Sequence, residues 1–161
     1  MKIGIDASRY KSDQATGVEW YSWHIINALL KELKGSEDKV TLYSRNSIDR
    51  DDVKVKVLEA KRLWTLRALS KEMDKNPPDL LFVPSHTLPL KLPKRSVIMI
   101  HDVAFKYLRK SYSFSQYQYL NWSTKYAVKH ATKILVPSIA TKEDLVNLFN
   151  CPVRKIEVIY H

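Results

Sequence analysis

Leu80-Leu81-Phe82-Val83-Pro84-Ser85-His86 and, ten residues on, Ser96-Val97-Ile98-Met99-Ile100-His101-Asp102 decide the fold. Each is an unbroken apolar run closed by polar residues that include a histidine. A strand with one wet face alternates apolar and polar residues; an unbroken run belongs to a strand covered on both faces. Such strands are parallel, and sheets of this kind hold their ligands beyond the carboxyl ends of the strands. The polar residues that close the runs are therefore the first candidates for function.

The rest of the chain fits around these two runs. Upstream, Lys2–Asp6 reads as a strand, and a polar loop follows to Thr16. A helix is predicted from Gly17 to Leu33, with Val18, Tyr21, Ile25, Ala28 and Leu29 on its apolar face, and Gly35-Ser36 ends it. Val40–Ser44 and Val53–Leu58 are short strands. Leu63–Lys75 is a helix with Leu63, Leu66, Leu69 and Met73 on one face, stopped by Pro77-Pro78. Downstream come a helix over Phe114–His130, a strand Lys133–Val136, a helix Ser138–Phe149 N-capped by Ser138, and a strand Ile156–Tyr160. Strands alternating with helices predict an α/β fold, Rossmann-like and doubly wound, with a mostly parallel sheet and right-handed crossovers.

With 161 residues the chain fits one domain. The single cysteine, Cys151, excludes an internal disulfide and a metal-binding cysteine pair, and a reducing compartment is the natural reading. The apolar runs are too short to span a bilayer. The expectation is a cytoplasmic protein, at most peripheral to a membrane. The last strand finishes at Tyr160-His161 with no closing helix, as in a chain cut at a domain boundary.

The strand ends are followed by Ala7-Ser8-Arg9, Pro84-Ser85-His86, His101-Asp102, Pro137-Ser138 and His161. Three of the five histidines are in this set, which suits a cleft for a polar ligand. An imidazole at position 101 can donate to a substrate hydroxyl or move a proton near neutral pH. Asp102 either works beside it or caps a turn. Asp6 is a candidate acceptor for loop amides. Thr16-Gly17 precedes a helix, where a glycine lets an anion approach free backbone N–H groups. No G-x-G-x-x-G and no P-loop lysine motif is present, which argues against an ordinary dinucleotide or NTPase site. Asp49-Arg50-Asp51-Asp52 is expected to be a solvated turn with no metal. Cys151, beside Pro152 in a turn, has no nucleophile's surroundings.

The net charge is +10, and between Leu80 and Lys142 ten Lys or Arg face a single carboxylate, Asp102. That side of the fold should attract anions. The long helix carries Tyr119, Trp122, Lys125, Tyr126 and Lys129 on the face opposite its small residues. Aromatic rings mixed with cations suit anionic lipid, or stacking on nucleic acid or sugar.

In order, Gly4-Ile5-Asp6-Ala7, Thr16-Gly17-Val18-x-x-Tyr21, Pro84-Ser85-His86, His101-Asp102, Val136-Pro137-Ser138-x-x-Thr141-Lys142-x-Asp144-Leu145 and Lys155-Ile156-x-Val158-Ile159-Tyr160-His161 resemble the N-terminal half of family 4 retaining glycosyltransferases. The resemblance implies a GT-B fold, in which residues 1–161 form the acceptor-side Rossmann-like domain and a C-terminal donor-binding domain lies outside this chain. It implies hexosyl transfer from a nucleotide-diphosphate sugar to a hydroxyl of a glycan or lipid-linked acceptor, no metal or other cofactor, and no activity of this half alone. By the same resemblance His101 contacts the transferred sugar while Asp102 steadies its loop. Gly17 and Thr16 meet the donor diphosphate, and Ser138 lies at the cleft edge. His86, Ser85, Arg9, Trp122 and Lys125 are expected on the acceptor side. The family often shows two glycines in the first loop where this chain has only Gly17. Nucleic acid is not the expected partner; an anionic membrane surface is compatible. The alternative is a stand-alone Rossmann-like binding module whose basic aromatic face holds nucleic acid or an anionic membrane surface.

Overall fold

The computed structural model describes residues 1–11, 13, 15–60 and 62–160. Seven strands form one sheet: β1 (Lys2–Asp6), β2 (Lys39–Ser44), β3 (Lys54–Val57), β4 (Leu80–Val83), β5 (Arg95–Met99), β6 (Lys133–Val136) and β7 (Ile156–Val158). Every neighbouring pair is parallel, so the sheet is wholly rather than mostly parallel. The order is β3-β2-β1-β4-β5-β6-β7. The helices are α1 (Gly17–Glu32), α2 (Ser70–Lys75), α3 (Phe114–His130) and α4 (Ile139–Phe149). This is the Rossmann-like α/β architecture the strand runs predict.

Helices cover both faces. On one, Ile26 of α1 packs on Ile5, Leu42 and Phe82, which the strand registers place in one row. On the other, Met73, Ala127 and Leu145 from α2, α3 and α4 meet Leu81, Val83, Ile98 and Ile134. Gly4 lies in β1, where an added Cβ would come within 2.7 Å of the Tyr43 ring and 2.9 Å of Pro78. A side chain there would overpack the sheet.

Two helix faces differ from the periodicity reading. In α1 the buried residues are Ser22 and Ile26, while Ala28 is exposed. Alanine is small enough to fit either face, so it marks neither. The second helix begins with a π-type turn, Thr65–Leu69. Its wider winding breaks the 3.6-residue count. Leu63, at φ 53°, is turned outward and 53% exposed, and Trp64 takes the buried place with its Nε1 donating to Leu58 O at 2.6 Å. Leu69 and Met73 are buried as the pattern predicts. The last strand stops at Val158, two residues short of the expected Tyr160.

Candidate functional site

Because all strands run one way, their carboxyl ends share one rim. The order reverses between β1 and β4: the chain leaves β1 toward β2 and β3 on one side, and β4 opens the series to β7 on the other. A crevice at such a point is where open α/β sheets bind ligands. Asp6 ends β1 there, 1% exposed. Its Oδ1 accepts from Ser8 N at 2.9 Å, the loop-amide role expected of it. Its Oδ2 is buried with no hydrogen-bond partner among the described residues. Burial pushes this carboxyl above the usual range, opposed by the Ser8 hydrogen bonds and by Arg45 and Arg9.

His101 joins the ends of β5 and β4 through a 3.0 Å hydrogen bond between its Nε2 and Pro84 O. A carbonyl only accepts, so Nε2 carries the proton. The same ring packs edge-to-face with Tyr21 of α1, with centroids 4.9 Å apart and planes at 84°. Burial raises the Tyr21 phenol to about 12, so it stays neutral. His86, on the β4 loop, is held below the usual imidazole range by burial first, then by the positive character of His101 and Arg9; Asp102 opposes this. Near pH 7 it is a neutral donor and acceptor. These groups interact across three strand ends although they are far apart in sequence.

Asp102 is exposed, and its Oδ1 accepts from Ala104 N at 2.9 Å. It steadies its own turn. Ser138 caps α4, accepting from Thr141 N at 3.1 Å. Thr141 in turn links to the 101 backbone, its Oγ1 lying 3.0 Å from Ser138 Oγ and 3.5 Å from His101 O. Ser138 is thus tied to the β5 end while its hydroxyl is committed to the cap.

At the start of α1, Gly17 is exposed and an added Cβ would meet nothing within 4 Å. Neither packing nor a left-handed φ requires glycine there. The first-turn amides of a helix lack internal acceptors. The neighbouring Thr16 is already engaged: Glu19 accepts from its N at 2.9 Å and its Oγ1 at 3.0 Å, and those bonds hold the Glu19 carboxyl below its usual range. Arg9 lies 3.7 Å from Glu19. An anion reaching Gly17 would meet this carboxylate unless Glu19 swings aside. Ser85 is half-buried between Pro84 and His86 on the rim. Trp122 and Lys125, in contrast, lie on the outward face of α3, roughly 12 Å or more along the helix from its rim-side end at 1.5 Å per residue. His161 lies outside the described residues.

Three features escaped the sequence reading. Tyr21, on the apolar face of α1, borders His101. A ring cluster of Tyr10, Trp20, Trp23 and His24 surrounds the first half of α1, with Trp20 and His24 stacked at 5.3 Å. The Asp49–Asp52 turn is anchored rather than merely solvated. Arg50 donates to Asp52 at 2.8 and 2.6 Å, to Tyr10 OH at 3.0 Å and to Asn27 Oδ1. Among the described residues no group of three or more His, Cys, Asp or Glu is placed to hold a metal ion. Cys151 is buried, and burial pushes its thiol up.

A concavity of about 1160 Å³ opens elsewhere, between the last turns of α1, the β2–β3 edge and α2. It contains none of the strand-end residues. Its acids are matched with cations, Lys56 with Glu72 at 2.5 Å and Arg50 with Asp52 at 2.6 Å. Size alone therefore does not locate the chemistry. The convergent, incompletely matched polar groups are at the carboxyl rim.

These observations define the class: a Rossmann-like α/β domain with polar residues gathered at the carboxyl-end rim where its strand order reverses. The sequence model of Glycosyltransferase Family 4 matches residues 16–161, and the chain belongs to that family. No curated protein matches the chain. No helix among the described residues is long and apolar enough to cross a membrane.

Proposed function

We propose that this chain is the acceptor-side domain of a retaining glycosyltransferase of GT-B form. The full enzyme moves a hexosyl group from a nucleotide-diphosphate sugar to a hydroxyl of a glycan or lipid-linked acceptor. The observation that carries the reading is His101, held by Pro84 O and the Tyr21 ring at the end of β5, beside His86 and Arg9. Imidazoles at this place suit hydrogen bonding to sugar hydroxyls. They steady a sugar ring that gains positive character as the diphosphate leaves, and no covalent attack by them is needed. The exposed first turn at Gly17 faces the departing diphosphate, with Ser138 at the cleft edge. Residues Ser85, His86 and Arg9 hold the acceptor. The donor is gripped chiefly by a second Rossmann-like domain, no metal takes part, and the enzyme works in the cytoplasm.

The test is hexose transfer from a panel of UDP- and GDP-hexoses, followed by nucleotide release and by the anomeric NMR signal of the product. Residues 1–161 alone should give no turnover. Joined to a donor-binding domain of the family, they should give product of the donor's own anomeric configuration. Turnover by residues 1–161 alone, or an inverted product, would overturn the corresponding part of the reading.

A further inference from the structure

We propose that the concavity between the last turns of α1, the β2–β3 edge and α2 binds a soluble anion that carries two or more phosphate groups. None of the residues assigned to the transfer site lines it. The proposal therefore stands apart from the transferase reading.

Eight lysines and arginines line this concavity of about 1160 Å³ against three acids. Each acid is already held: Asp38 by the N-terminal amine at 2.5 Å, Asp52 by Arg50 at 2.6 Å and Glu72 by Lys56 at 2.5 Å. Asp79, just outside the lining, accepts from the Lys2 backbone N–H at 2.6 Å. Lys2, Lys31, Lys34, Lys39, Lys54 and Lys75 have no ion pair among the described residues. The surplus is therefore wholly positive, although this part of the chain is near neutral by count.

Strand register gathers three of these lysines on one patch, because side chains alternate along a strand. Tyr43 of β2 belongs to the buried cluster of Met73 in α2, Lys56 of β3 reaches Glu72 of α2, and Gly4 of β1 faces Tyr43 and Pro78. Lys39, Lys54 and Lys2 are in phase with those residues, so they stand on the same face of the sheet. Lys2 is directly opposite Lys39, and Lys54 is opposite Thr41. Neighbouring strands lie roughly 4.8 Å apart. All three lysines are exposed, so this end of the face is open, with Lys75 at the end of α2 beside it. Like charges directly opposite on a sheet destabilise it. Lysines on an edge strand deter unwanted pairing, which accounts for Lys54 and Lys56. Lys2 and Lys39 stand on inner strands, where that reason is absent. A multiply charged anion among them turns the repulsion into attraction, and Thr41, on the same face, adds a hydroxyl donor.

The lining also selects the form of the anion. None of the exposed large apolar side chains lines it, so nothing there enters a lipid layer. Its one aromatic residue among the described residues, Tyr43, is 4% exposed, so no bare ring face is offered to a base. What remains is recognition of charge by flexible lysines, which suits several phosphates close together. Such an anion bridges β1, β2, β3 and the end of α2.

The experiment is calorimetric titration of the chain with inorganic tripolyphosphate at about 0.15 M salt, where electrostatic range is about 8 Å. Saturable binding is expected. Lys39→Gln with Lys54→Gln should weaken it at least about tenfold. Lys125→Gln with Lys129→Gln on α3, an equal loss of charge, should change it less than about twofold. Tripolyphosphate should raise the urea midpoint of wild type and not that of the Lys39, Lys54 variant. Without the anion this variant should be no less stable than wild type, because it loses a repulsion. That separates a lost site from a lost fold. No saturable binding, or equal losses from the two pairs, would overturn the proposal. So would binding of a poly-uridine RNA, or of phosphatidylinositol bisphosphate vesicles, that is tighter than that of tripolyphosphate and is lost in the same variant. The titration involves no sugar, so its failure leaves the transferase reading intact, and a failed transfer assay leaves anion binding intact.

Discussion

Residues 80–142 hold nine of the ten net positive charges of the chain; the remainder, before and after, is close to neutral. The two regions spend their cations differently. In the near-neutral region some cations are matched and structural. Arg50 ties the 49–52 turn to Tyr10 and α1, Lys56 meets the buried Glu72, and the N-terminal amine meets Asp38 at 2.5 Å. In the basic region the few ion pairs are long and exposed, such as Lys133 with Glu157 at 3.9 Å. Other cations there lie over rings, as Arg109 does over Tyr117 at 4.4 Å, or stay on the outer face of α3. The difference teaches that charge count does not locate a role. A cation can build the fold through a carboxylate, as Arg50 and Lys56 do, or without one, through a ring or a backbone carbonyl, as Arg109 and Lys155 do.

Removing cations one region at a time should break or sharpen this contrast. The largest effect on stability is expected from Arg50→Met. It leaves Asp52, Tyr10 and Asn27 without a donor that is itself 21% exposed, at a cost of about 2 kcal/mol in urea denaturation. A smaller and pH-dependent effect is expected from Asp6→Asn. The Asp6 carboxyl titrates higher in the folded chain than its unfolded value of 3.8, so the folded state holds the extra proton. Its contribution to stability is present below pH 3.8 and is lost as pH rises through the higher folded value. The difference in urea midpoint between Asp6→Asn and wild type should therefore shift in the variant's favour as pH rises from about 3.8 toward neutral. A constant difference would mean that Asp6 is not held protonated. The smallest effect is expected from Lys125→Gln with Lys129→Gln, within about 0.5 kcal/mol of wild type, because neither lysine is structurally matched.

Much of this contrast was legible in the sequence, but unevenly. The continuous runs at Leu80–Val83 and Val97–Ile100 can only be strands wet on neither face, so they gave the sheet. Ser138 as a cap followed from its place before an apolar helix. The asymmetry of α3 also showed, since tyrosine and lysine at helical spacing oppose threonine and alanine. Spacing could not reveal the Arg50 anchor, because its partners come from residues 10, 27 and 52. Tyr21 was hidden by its own character: a ring that fills a core position also carries a hydroxyl and an edge, and only the fold shows which neighbour the ring meets. Periodicity fails at Leu63 because its φ of 53° turns it outward ahead of the helix, and Trp64 takes the buried place. His86 and His101 stood out by type and by position after strands. That they lie close enough to perturb one another is a fact of the β4–β5 pairing.

The central claim is that the carboxyl rim around His101 handles the transferred sugar. Its most direct test is hexosyl transfer by the protein carrying a donor-binding domain, comparing wild type with His101→Ala. Removing the imidazole that contacts the transferred sugar should lower kcat about 100-fold. The circular dichroism spectrum should stay close to wild type. A variant that keeps near-wild-type kcat would contradict the assignment of the site to this rim.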